Sequence, residues 1–245
     1  HIDLLVANLY PFEQMSAQHM TLDQLIEYID VGGPAMIRAA AKNFRDVAVV
    51  VEPSDYPMIM RSVSGPGISA EDRLMLAKKA FARTAAYDAA ISNYLYQLDA
   101  EFPSVLTVQY TGGRPLRYGE NPHQRAAVYG IRGIAGTEPV QGKQMSYNNY
   151  LDVNAGAGLV WEFDEPAAVI MKHNNPCGVA INTALSDAYN AARDVDPASA
   201  YGSVVSVNRE VDGKLATEIC TTFVEVIAAP SYSPDAREIM KRKEN

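Results

Sequence analysis

Two short runs rich in aliphatic and β-branched residues, IDLLVA at 2–7 and DVAVVV at 46–51, stand on either side of stretches with helical spacing. The first run stops at the turn-prone Asn8 and Pro11, and MTLDQLIEYI (20–29) then places Leu22, Leu25, Ile26 and Ile29 on one helix face. Gly32, Gly33 and Pro34 precede the alanine-rich AMIRAAAKN. Proline suits a first helical turn, where an N–H would have no partner anyway. Strand and helix therefore alternate, and a mostly parallel sheet within an α/β fold is the economical architecture. The longest helical stretch, 70–98, contains neither Gly nor Pro and closes the first segment.

Turn formers cluster between Pro103 and Pro115, where FPSVLTVQYTGGRP holds a short strand-like piece before Gly112 and Gly113. The boundary expected there divides the chain into 1–106 and 107–245. Downstream, AAVYGI (126–131), AAVIM (167–171) and SVVSV (203–207) read as strands. LDVNAGAGLVWEF (151–163) and TALSDAYNAARDV (183–195) read as helices, so the second segment is also α/β. The charged tail KRKEN reads as a solvated end.

Composition supports a real core, since 48% of the 245 residues are hydrophobic and 20% charged. A net charge of −8 argues against a nucleic-acid groove and leaves room for a local basic pocket that takes a small anion. Cys177 and Cys220 lack CxxC or zinc-type spacing, and no apolar run is long enough to span a membrane. A soluble, cytoplasmic, reducing setting is expected. The opening HIDLLVANLYPF, with no Met and no charged leader, reads as the middle of a longer chain.

Several strings carry chemistry. In DVGGP (30–34) the glycines let backbone approach a ligand, and the following helix start suits an anion such as phosphate; a plain helix-capping turn is the competing reading. Asp30 and Lys42 add ionisable groups that can converge on such a ligand or face water. Tyr10 follows a strand directly, where it can donate a hydrogen bond or simply pack over Pro11. LRYGENPHQ (116–124) gathers Arg117, Tyr118, Glu120, Asn121 and His123, and Arg117 can bind a phosphate bidentately. In VIMKHNNPCG (169–178) an apolar run ends at Lys172 and His173, then turns through Asn174 to Gly178. An imidazole can take a proton near neutral pH while a neighbouring ammonium stabilises developing negative charge. Neighbours on a regular strand face opposite ways, so the pair serves one site only if the strand has ended. Cys177 reads as a packing residue within that turn. DPASAYG (196–202) places Ser199 and Gly202 in a loop before a strand.

Taken in order, NLYPF, IDVGGPAMIRAAAKN, LRYGENPHQ, SYNNYLD, KHNNPCG and DPASAYG resemble the signatures of the bifunctional purine biosynthesis family, which joins phosphoribosylaminoimidazolecarboxamide (AICAR) formyltransferase to IMP cyclohydrolase. The resemblance implies a partial methylglyoxal-synthase-like α/β domain followed by the first part of a cytidine-deaminase-like transformylase domain. It implies that Tyr10, Asp30 and Lys42 act in the cyclohydrolase site, with Asn8, Val31, Gly32 and Gly33 lining its nucleotide pocket. In the transformylase it implies His173 as proton acceptor, Lys172 as transition-state stabiliser, and Arg117, Tyr118, Asn149, Gly202 and Glu225 as holders of AICAR. The co-substrate implied is 10-formyltetrahydrofolate, with no metal required for catalysis. The small-molecule partners implied are AICAR, its formylated product FAICAR, IMP and reduced folate. A homodimer is implied too, with neither nucleic acid nor membrane as partner.

Ala7 and Glu225 depart from some relatives, which have cysteine and aspartate there. Family members are longer at both ends, so the chain is expected to be a central piece, weak or inactive alone in both reactions. Two other readings compete: a purine-nucleotide-binding fragment without catalysis, and a zinc deaminase. The zinc reading is disfavoured because the H-x-E and P-C-x-x-C ligand pattern is absent.

Overall fold

The computed structural model describes residues 1–243, so the last two residues of the charged tail lie outside it. The described residues form two compact units, 1–109 and 110–243.

The first unit is organised around two short parallel strands, β1 (Leu4–Val6) and β2 (Ala48–Val50), in register Leu4↔Ala48 to Val6↔Val50. Between them the chain forms α1 (Phe12–Ser16), α2 (Leu22–Ile26) and α3 (Gly32–Lys42); after β2 come α4 (Tyr56–Val63) and the long α5 (Ala70–Gln97). The strand IDLLVA and the helix expected over 20–29 are both shorter than their apolar patterns. Thr21 sets the start of α2 with a capping box, its side chain accepting from the Gln24 N–H while Gln24 reaches back to the Thr21 N–H. Strand β2 is buried on both faces. Val49 packs with Ile37, Ala41, Ala77 and Ala80 from α3 and α5, while Ala48 and Val50 pack with Ile59 and Leu76. The alanines of α3 let that helix lie close to the strand.

Arg83 of α5 reaches back to Glu13 of α1 through two hydrogen bonds, 2.7 and 3.1 Å. These hold the Glu13 carboxyl below the usual carboxylate range, against the opposing effect of burial.

The second unit begins with a two-stranded antiparallel ribbon, β3 (Arg114–Pro115) with β4 (Ala127–Val128). Then come α6 (Tyr147–Val160), β5 (Ala167–Lys172), β6 (Asn175–Ile181), α7 (Leu185–Val195), the single turn α8 (Pro197–Ala200), β7 (Ser203–Val207), α9 (Gly213–Ile219), β8 (Val224–Ala228) and α10 (Pro234–Met240). The sheet order is β6-β5-β7-β8.

The expectation of a mostly parallel sheet fails here. Strand β5 runs antiparallel to both β6 and β7, and β7 runs parallel to β8. For β5 and β6 the reason is local: they are joined by two residues, which only an antiparallel pair allows. The turn expected from Asn174 to Gly178 is therefore just His173 and Asn174, and Cys177 lies within β6 rather than in a turn. Its thiol donates to the Ile170 carbonyl at 3.4 Å, and burial pushes its pKa up, consistent with a packing role. The strand expected over 126–131 shrinks to two residues, and the strand-like piece in FPSVLTVQY forms no strand.

Strand β5 is the centre of this unit, Ala167 through Met171 being buried throughout. Ala168 and Ile170 pack against Ala188, Tyr189 and Ala192 of α7, whereas Ala167, Val169 and Met171 pack against Val153 and Val160 of α6. Its entry is pinned by Asn208, 2% exposed, which accepts from the Ala167 N–H and donates to the Phe163 and Glu165 carbonyls.

Two stability outcomes follow from these contacts. A Cβ at Gly178 would lie 1.9 Å from the Ala192 carbonyl oxygen of α7. Gly178→Ala is therefore expected to destabilise by about 3 kcal/mol, read as a lower urea midpoint at unchanged slope. In the first unit the folded pKa of Glu13 is depressed, so its contribution is present above the unfolded value of 4.5 and lost as pH falls through the folded one. Because the pair is partly exposed, Glu13→Gln should cost only about 0.5–1 kcal/mol at pH 7. The gap to wild type should close on acidification below the carboxylate range, measured as urea unfolding against pH.

Candidate active site

In the first unit the sequence-predicted residues sit where β1 ends and where α3 begins. Asn8 follows β1 and ties the two strand ends together, its amide donating to the Val51 carbonyl at 3.2 Å and its Oδ1 accepting from the Tyr56 hydroxyl at 2.9 Å. Ligands gather at such carboxyl ends of parallel strands. Tyr10 is 54% exposed and Val31 79%; Gly32 is exposed as well.

Asp30 is already engaged. Its Oδ1 accepts from the Gly33 N–H at 2.7 Å, placing a carboxylate at the start of α3. The anion that this helix end suits is thus supplied in part by the chain itself. A Cβ at Gly33 would lie 2.4 Å from that carboxylate, so a larger residue there would have to push the Asp30 side chain away from the helix start. The Asp30 N–H donates to the Tyr87 hydroxyl at 2.8 Å, and that hydroxyl donates to the Tyr28 carbonyl at 2.7 Å. Tyr87 is fully buried, and desolvation raises its pKa, so it stays a neutral relay between α5 and the loop before α3. Lys42 is exposed at the far end of α3, about 15 Å along the axis from Asp30.

Sequence reasoning missed a polar cluster beyond β2. Asp55, 8% exposed, is held by Lys79 at 2.7 and 2.9 Å, and Glu52 shares the same ammonium at 3.1 Å. The hydrogen bond that Lys79 donates to Asp55 does most to raise the Lys79 pKa. Nothing local signals this, because partners 24 residues apart in sequence meet only through the fold. The usable hint was an acidic pair just after a buried strand.

In the second unit Arg117, Asn149 and Glu225 line a cavity of about 370 Å³, together with Met145, Phe223 and Ile227. The Asn149 Oδ1 accepts from both the N–H and the hydroxyl of Ser146, each at 2.9 Å, within the capping box of α6. With its oxygen committed, the Asn149 amide nitrogen faces Glu225, donating to Oε2 at 2.8 Å. Asn149 therefore orients a carboxylate on the cavity wall. Arg117 lies over the Tyr118 ring, 4.9 Å from its centroid, with a further contact of 3.3 Å to its hydroxyl.

Tyr118, Lys172, His173 and Gly202 are not part of that wall among the described residues. Lys172 and Gly202 approach it through intermediaries. The Lys172 Nζ donates to the Tyr201 carbonyl at 2.7 Å, the Tyr201 ring packs on Phe223 at 5.4 Å, and the Gly202 N–H donates to the Phe223 carbonyl at 2.8 Å. Lys172 ends β5, and the exposed His173 opens the turn in left-handed conformation, φ 52°. The requirement that the strand end between them is met. Among the described residues, no three His, Cys, Asp or Glu side chains are grouped to hold a metal, and no helix is long and apolar enough to cross a membrane.

Both units are α/β, with polar groups at strand ends and, in the second, beside a cavity, the usual setting of a small-molecule site. The family model for the AICARFT/IMPCHase bienzyme matches residues 40–245, and the chain belongs to that family. It is 49% identical over 253 residues to the bifunctional purine biosynthesis protein PurH of Myxococcus xanthus, covering 100% of this chain and 49% of that protein. To PurH of Thermoanaerobacter it is 47% identical over 251 residues, with the same shares covered. The chain thus spans about half the length of these curated relatives. A solved structure, a crystal structure of ForH, shares 39% identity over 38% of this chain and 50% of its own, with a TM-score of 0.33.

Tyr87→Phe removes a hydroxyl that both accepts from Asp30 and donates to Tyr28. It is expected to cost about 1–3 kcal/mol and to speed amide exchange at Asp30, read by urea unfolding and NMR exchange.

Proposed function

We propose that this chain carries parts of the machinery for the last two steps to IMP: formyl transfer from 10-formyltetrahydrofolate to the 5-amino group of AICAR, then dehydrative ring closure of FAICAR. In this reading 1–106 belongs to a methylglyoxal-synthase-like cyclohydrolase domain and 107–245 to a cytidine-deaminase-like transformylase domain. The observation that carries it is the corner where Lys172 closes β5 and His173 opens the turn.

The 5-amino group is a poor nucleophile, because its lone pair is delocalised into the imidazole and carboxamide. A bond forms between that nitrogen and the formyl carbon, and His173 takes the amine proton as attack proceeds. The formyl oxygen gains negative charge, which the Lys172 ammonium stabilises. The intermediate collapses by breaking the bond to the folate nitrogen, which leaves carrying the proton that His173 took from the amine. Arg117 and Tyr118 hold the nucleotide, with Asn149, Glu225 and Gly202 beside it. In the ring closure the carboxamide nitrogen attacks the formyl carbon and water is lost, with Tyr10, Asp30 and Lys42 moving protons and Asn8, Val31, Gly32 and Gly33 shaping the pocket. No step is routed through a metal. A homodimer completing the transformylase sites belongs to the same reading.

A second reading, nucleotide binding without catalysis, is favoured by one fact: the cavity wall gathers Arg117, Asn149 and Glu225 but neither Lys172 nor His173. Titration calorimetry and a formyl-transfer assay separate the two. AICAR is expected to bind the chain, and Arg117→Ala to weaken binding by about tenfold or more. His173→Ala should leave binding within about threefold while removing any transfer. In a protein completed by the absent segments, transfer undiminished in His173→Ala would sink the first reading, and AICAR binding with no turnover would select the second.

A further inference from the structure

The corner that presents His173 is built in an unusual way. Lys172 and Asn175 face each other across β5 and β6, so His173 and Asn174 form a two-residue hairpin turn. Both have positive φ, 52° and 61°. Such turns demand left-handed backbone at both positions, and glycine relieves the cost there. Here neither residue is glycine. Strain retained in this way persists only where the surroundings hold it.

The surroundings do hold it, from both sides of a single peptide unit. The carbonyl of His173 accepts from the Asn175 amide at 3.0 Å. The N–H of Asn174 donates to Asp152 Oδ1 at 2.6 Å. Asp152 is half-buried on α6, the helix that packs on β5 and β7, so its carboxylate is anchored to a rigid element. A charged acceptor makes the stronger class of hydrogen bond to backbone. With its oxygen and its N–H both fixed, the peptide plane between His173 and Asn174 cannot rotate, and ψ of His173 is set with it.

We propose that Asp152 is a positioning residue for His173: by holding the Asn174 N–H, it locks the turn and fixes the direction in which the imidazole leaves the β5–β6 corner. The proposal rests on reading His173 as the proton acceptor, and it adds a residue on another element to that role. A half-buried carboxylate on a helix can also serve only to keep that surface polar. That explanation makes Asp152 indifferent to the turn, and so the two can be told apart.

The test is NMR on the purified chain, following amide exchange at Asn174 and the imidazole ring signals of His173. In Asp152→Ala, Asn174 exchange should rise about tenfold or more while the sheet amides of Val179 and Val205 keep their protection, and the His173 ring signals should move. Asp152→Asn keeps an oxygen acceptor and should bring both readouts most of the way back. Unchanged exchange at Asn174, or ring signals that stay put although exchange rises, would overturn the proposal. Should Asp152→Ala lose its sheet, Asn175→Ala opens the other side of the same peptide and must by itself loosen Asn174 and shift the ring; no effect there overturns it equally. AICAR titration of the wild-type chain runs alongside: absent binding sinks the functional reading, whereas the exchange data decide the clamp on their own.

Discussion

Burial of β5 on both faces is the constraint from which the second unit is built. A strand covered by α6 on one side and α7 on the other cannot slip by one residue without exchanging its two apolar sets, so its register is strongly set. Its ends are fixed with it. Asn208 satisfies the buried backbone where the strand enters, and Lys172 is the first charge where it leaves. A cation cannot be carried further into that layer without desolvation, so the apolar run, its end and the place where polar chemistry begins are one decision. The neighbouring imidazole inherits its location from packing several residues away.

The same constraint explains which parts of the fold were legible beforehand. Long or strongly patterned segments, such as α5, α7, β5 and β7, announce themselves because burial imposes a period on them. Strand β8 did not, since VEVIA is short and its Glu225 interrupts an apolar run that only pairing with β7 makes extended. The direction of pairing was illegible for a different reason. KHNNPCG reads as a five-residue turn from its Asn, Pro and Gly content, yet Asn175 to Gly178 are strand, because pairing with Lys172 and Ile170 overrides turn propensity. Once the turn contracts to two residues the sheet must be antiparallel there.

Candidate polar residues were easier to name than their tasks. Asp30, Asn149 and Asn8 each look like groups awaiting a ligand, and each spends hydrogen-bonding capacity on its own chain: the start of α3, the start of α6, and the tie between β1 and β2. That is not a conflict with binding. A side chain that must meet a ligand at a defined angle needs its other atoms committed, and an amide whose oxygen is occupied has only one orientation left for its nitrogen. Asn149 illustrates the point, since two donors from Ser146 leave its nitrogen facing Glu225. The cap is local to the start of α6; the third dimension supplied the carboxylate 76 residues away.

The two candidate regions nonetheless use different devices for the same end. In the first unit flexibility is removed by closeness: Gly33 lets the Asp30 carboxylate sit against the backbone, and Tyr87 anchors the loop from below. In the second, at the β5–β6 corner, closeness is unavailable because His173 and Asn174 both carry side chains in left-handed backbone. Glycine at either position would ease the turn but would abolish the imidazole or slacken the peptide next to it. Retaining both residues therefore requires hydrogen bonds to supply the rigidity that local geometry withholds, and those bonds come from a neighbour along the hairpin and from a helix across the sheet. A corner held in this manner transmits the position of α6 to the ring. Precision at the site is then a property of the layer packing rather than of the turn.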